Sequence, residues 1–101
     1  MKNIEQITFF GNLGADPELK YTQKHEPVCH LSIAEDVPDK EKPIWHKVVV
    51  WGKQGESCKV HLKKGSPLFV RGRILEKEIQ TQDGRKVFKE ISAISVGFLT
   101  A

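Results

Sequence analysis

The chain has 101 residues, with 16 Lys or Arg against 13 Asp or Glu, 39% hydrophobic and 29% charged residues. That length allows one domain around a single core and leaves no room for a catalytic domain beside a binding one. No apolar run approaches the roughly 20 residues that cross a bilayer. The opening MKNIEQITFF alternates in polarity where a secretory leader is continuously apolar, so the expected location is the cytoplasm, with no membrane partner.

The first expected strand runs from Ile4 to Leu13 and stops at Gly11-Asn12-Leu13-Gly14-Ala15-Asp16-Pro17, whose Gly and Pro residues end or bend a strand. In the second, Val28 to Ala34, Cys29, Leu31 and Ile33 form the apolar side and Val28, His30, Ser32 and Ala34 the other. Glu35 to Pro43, charged and carrying two prolines, is a solvated loop. The third strand is Ile44 to Trp51.

From Gln54 to Gly65 the period becomes helical: Cys58, His61 and Leu62 stand at i, i+3, i+4, and Gly65 is placed to cap the helix. Pro67 to Ile79 is a long fourth strand, Asp83-Gly84 a hairpin turn, and Val87 to about Phe98 the fifth strand. Five strands with one short helix between the third and fourth match an all-β OB-fold, a Greek-key barrel that binds oligonucleotides across one face. An SH3-like barrel, which has no regular helix there, is the second choice.

Charge is unevenly spread. Trp45 to Lys89 carries eleven Lys or Arg against four Asp or Glu, and the remainder five against nine. The basic half suits a polyanion, although basic residues also keep an ordinary surface solvated. Alternation puts Trp45, Lys47, Val49 and Trp51 on one face of the third strand and His46, Val48 and Val50 on the other. On the fourth strand, Leu68, Val70, Gly72 and Ile74 oppose Phe69, Arg71, Arg73, Leu75, Lys77 and Ile79. Burying Arg71, Arg73 and Lys77 unpaired is too costly, so their face is open. Glu76 and Glu78 alternate away from Lys77 and are not its natural partners. Two tryptophans facing the same way as these cations make a stacking platform in a positive groove, suited to holding a single strand without reading it. The competing reading, tryptophans in a core, is weakened by Lys47 between them.

The segments FGNLGADPELKY (Phe10 to Tyr21), IWHKVVVWGK (Ile44 to Lys53) and HLKKGSPLFVRGRI (His61 to Ile74), with the Asp83-Gly84 hairpin, resemble the DNA-binding domain of bacterial single-stranded DNA-binding proteins, from about Thr8 to Ile94. The resemblance implies an OB-fold, sequence-tolerant binding of single-stranded DNA, no catalysis, and a nucleoid-associated homotetramer serving replication, recombination and repair alongside other proteins of those processes. By this likeness Trp45 and Trp51 match stacking positions, and Lys47, Lys53, Lys64 and Lys77 match basic positions along the DNA path. His46 matches a histidine near the subunit interface. Two stacking tryptophans of the family have no counterpart: the loop EDVPDKEKP has none, and Ile79 stands on the fourth strand. The chain ends at SVGFLTA, where relatives continue into a flexible linker and an acidic tip. That fits either a piece cut at the domain edge or a naturally short relative with a phage, mobile-element, accessory or primosomal role.

Cys29 and Cys58 are too few and too far apart for a disulfide framework and are read as small buried hydrophobes. They do not make a zinc site with His30 and His61, because Cys29 and His30 point to opposite faces and structural zinc needs four convergent ligands. With no activated nucleophile and no phosphate loop, neither an enzyme nor a cofactor is expected. The alternative to DNA coating is an interaction module that docks a replication or restart protein through strand edges and the basic face.

Overall fold

The computed structural model describes residues 5–98; Ile4, counted into the first strand from sequence, lies outside them. Six strands and one helix follow in the order β1 (Gln6–Leu13), β2 (Glu18–Tyr21), β3 (Pro27–Glu35), β4 (Ile44–Trp51), α1 (Gly52–His61), β5 (Pro67–Thr81) and β6 (Gly84–Phe98). The sheet runs β1-β5-β6-β4-β3-β2, and a further β1–β3 pairing closes it into a ring. This is the barrel expected of an OB-fold, with six strands where five were expected.

The extra strand comes from the bend at residues 14–17. The chain leaves β1, which pairs Asn12 with Ala34 and Leu13 with Ile33, and returns to the same edge of β3 as β2, pairing Glu18 with His30 through Tyr21 with Pro27. Of its four residues only Leu19 is even half-buried, so β2 has no apolar alternation by which to announce itself. Backbone pairing to β3 makes it a strand.

Inward side chains of every long strand meet in one core: Phe9 and Leu13, Cys29, Leu31 and Ile33, Val48 and Val50, Leu68 and Val70, and Ile91. The alternation predicted for β3, β4 and the first half of β5 is what fills it. Helix α1 covers one end of the barrel, with Gly55 and Cys58 buried. A β-carbon on Gly55 would stand 3.3 Å from Cys29 Cβ and 3.2 Å from the Val50 carbonyl carbon, so the missing side chain lets the helix lie close on the sheet. Both cysteines are free and fully buried. Burial raises the Cys29 thiol and pushes Cys58 up to about 12, which keeps both protonated at neutral pH.

The helix stops at His61, short of the expected Gly65. Leu62 is extended, with φ −108° and ψ 152°, and its N–H donates to the Cys58 carbonyl. Leu62 is buried in the core cluster together with Cys58. Gly65 turns the chain into β5 instead, at φ +91°, with its N–H donating to the Leu13 carbonyl at 2.8 Å. The β5–β6 hairpin also differs by one position: Thr81 pairs with Gly84, so Gln82 and Asp83 form the loop. Gly84 follows them at φ +121°, a backbone shape that glycine takes freely and other residues do not.

Candidate nucleic-acid interface

The outer face of β4 carries Trp45, 59% exposed, Lys47, and Trp51, 47% exposed. Six residues of extended strand separate the two Cα atoms by roughly 20 Å. Strand register extends this face to both sides. On β3, Ala34, Ser32, His30 and Val28 lie opposite Trp45, Lys47, Val49 and Trp51. On the other side Val49 pairs with Ser92 of β6, and Ser92 with Arg73 of β5. The face predicted from two separate strands is thus one continuous surface, joined through β6. Val49 is the exception to its exposure: only 5% accessible, it forms the floor.

Trp45 is held in place from below. A β-carbon on Gly14 would overlap the Cζ3–Cη2 edge of the Trp45 ring, so that edge of the indole rests against the β1–β2 bend, in space that only glycine leaves open. Lys53 is exposed in the first turn of α1, next to Trp51. Lys64 is exposed in the turn before β5, where its backbone N–H donates to Asp16 Oδ1 at 2.8 Å.

Lys77 corrects one expectation. Glu76 and Glu78 do face away from it, but Glu90 of β6 reaches it with an oxygen 3.1 Å from Nζ, so the cation enters any binding event already paired. The partner is invisible in a reading of one strand alone. Phe69 and Arg71 also lie apart from the tryptophans. Phe69 sits opposite Phe10 of β1 and Arg71 opposite Thr8, with the Phe69 ring packed over Gly97. Phe10 and Phe69 are both largely exposed, making a second aromatic patch farther around the barrel.

Sequence reasoning missed Phe88. It lies opposite Lys77 in the β5–β6 hairpin, and Lys47 Nζ stands 5.8 Å from its ring centroid, over the ring. The signal was present: with the loop placed at Gln82 and Asp83, counting back along both strands brings Phe88 to Lys77 and onto the tryptophan face.

His46 points inward, as alternation requires. Its ring stacks on Phe9, with centroids 3.9 Å apart and planes at 24°, and its Nε2 donates to Glu35 Oε1 at 2.8 Å. These contacts join β1, β3 and β4 at the barrel end opposite α1. Among the described residues, no three His, Cys, Asp or Glu are grouped to hold a metal ion, and no helix is long and apolar enough to cross a membrane.

Residues 4–99 match the single-strand binding protein family. Over 90 residues the chain is 36% identical to a single-stranded DNA-binding protein of Xanthomonas axonopodis pv. citri, covering 82% of this chain and 50% of that protein. Over 92 residues it is 34% identical to one from Xylella fastidiosa, covering 84% of this chain and 56% of that protein. The chain spans about half the length of the curated relatives it matches. With a match over nearly its whole length, and a barrel whose outer face gathers the aromatics and cations of the basic half, the chain belongs to the single-strand binding protein family.

Proposed function

We propose that this chain binds single-stranded DNA without strong sequence preference and acts as a coating protein in replication, recombination and repair, not as an enzyme. One observation carries this reading: Trp45 and Trp51 are both exposed on the face that holds Lys47 and continues to Arg73. An indole stacks on any base, and each such contact contributes roughly 1–3 kcal/mol, while the lysines and arginines displace counterions from phosphate. Lys53 and Lys64 extend the positive path at the helix end of the barrel, and Phe69 with Arg71 offers the strand a further surface.

The test is intrinsic tryptophan emission during titration with oligo-dT at low and high salt. Saturable quenching is expected, with affinity falling as salt rises. A folded protein whose emission never changes would transfer the lead to the docking-module reading.

The assembly proposed is a homotetramer. Along residues 6–11, β1 has β5 on one side and, among the described residues, no strand on the other, an arrangement that invites pairing with a second chain. His46 contributes indirectly, by fixing Phe9 of β1 against β4. Sedimentation equilibrium at the mass of four chains would support this assembly, and a monomer mass would remove it.

A further inference from the structure

A groove of about 410 Å³ opens on the outer face. Its floor is Ser32 and Val49, one wall is Phe88 and Glu90 of β6, and the other is Asp16 and Glu18 from the bend and β2, with Lys47 at its centre. The groove is unusual for its neighbourhood. It is of mixed charge: Asp16, Glu18 and Glu90, all from outside the basic half, meet Lys20, His30, Lys47 and one aromatic ring. Lys77 and Lys20 already neutralise two of the carboxylates: Lys77 pairs with Glu90 at 3.1 Å and Lys20 with Glu18 at 3.1 Å.

With its carboxylates set against Lys20, Lys47 and Lys77, the groove is close to neutral and attracts a phosphodiester less than the unpaired cations outside it, so a bound strand keeps its backbone over those. What can enter is a base. The Phe88 ring presents the face that Lys47 now covers loosely at 5.8 Å, a distance at the edge of cation–π attraction. A base plane can take the place of the ammonium, which then swings out to a phosphate. Ionised carboxylates only accept hydrogen bonds, and the ion pair with Lys20 holds Glu18 below the ordinary carboxylate range. The amino group of cytosine or adenine donates to such a wall, as in the pairing of Glu or Asp with cytosine in duplex readers. Thymine presents a carbonyl oxygen at the same position.

We propose that this groove is a base-reading subsite: it takes one nucleobase of the bound strand against Phe88 and favours cytosine and adenine over thymine. This rests on the proposed single-stranded DNA binding and adds a local bias to it.

The experiment compares dissociation constants for oligo-dC and oligo-dT of equal length at pH 8, for the unaltered protein, Phe88→Ala and Glu18→Gln. Removing a carboxylate changes the attraction for phosphate equally for both oligonucleotides, so the dT-to-dC ratio isolates the base. The glutamine amide adds a donor for the thymine carbonyl. A single hydrogen bond exchanged in this way shifts the ratio toward dT by about fivefold, and Phe88→Ala shifts it in the same direction while weakening both. Glu18 is on the surface, so its variant carries the test even if Phe88→Ala perturbs folding. Binding with the same ratio in all three proteins overturns the subsite and leaves the proposed function standing. Absence of binding to either oligonucleotide by the unaltered protein overturns both.

Discussion

Replacing Trp45 with alanine is expected to weaken oligo-dT binding roughly 5- to 150-fold, the range that one lost base stack represents. The effect belongs near the top of that range because the indole is positioned before DNA arrives. One edge of its ring rests against Gly14, where no side chain intervenes, and a ring held by such a contact loses less freedom on binding. Trp51, near the end of β4 and 47% exposed, is expected to lose less. Anisotropy of a labelled oligonucleotide is the measurement, since the variant lacks half of the intrinsic signal. Val60→Ala is the control, because Val60 is 75% exposed on α1. Equal losses in Trp45→Ala and Val60→Ala would remove Trp45 from the DNA path.

The second large effect concerns the barrel. Gly72→Val is expected to destabilise the fold by roughly 3 kcal/mol or more, the upper end for overpacking. That lowers the melting temperature by roughly 12–24 °C for a domain of this size. A β-carbon at Gly72 would stand 2.6 Å from Ile91 Cγ2 and 2.7 Å from the Ser92 carbonyl oxygen. The first contact involves a side chain packed in the core, and the second is backbone, which cannot rotate away. The register shift between Arg71 and Gly72 fixes β6 at this close approach. Ile91 and Ser92 also pair with Val48 and Val49 of β4, so displacing them strains the closure of the ring as well. Thermal unfolding followed by circular dichroism measures the loss. An unchanged melting temperature would mean that β6 stands farther from β5 than described.

Much of this was legible in the sequence wherever a face is buried. Cys29, Leu31 and Ile33 alternate because one side of β3 is core, and the same rule separated Trp45 and Lys47 from His46. Where pairing alone makes the structure, the sequence was mute. β2 is a strand because β3 offers it an edge, and its own residues are nearly all exposed. The end of α1 was misplaced because Gly65 looks like a cap, whereas its left-handed backbone serves the turn into β5. The site divided in the same way. Its members on β4 were visible from alternation within one strand, but Phe88 and the Glu90 partner of Lys77 become visible only when β6 is paired against β5 across the hairpin.

The joint between β4 and β6 is narrow: two residue pairs, Val48 with Ile91 and Val49 with Ser92, against fourteen between β5 and β6. Val49 in the floor of the groove and Lys47 at its centre belong to β4, and the wall of Phe88 and Glu90 belongs to β6. The part of a fold with the fewest shared backbone bonds opens at the least free energy. The groove therefore lies across one of the two narrowest joints of the ring, the other being the two pairs between β1 and β3. A purine and a pyrimidine differ in bulk, and widening at this joint would leave the fourteen β5–β6 pairs intact.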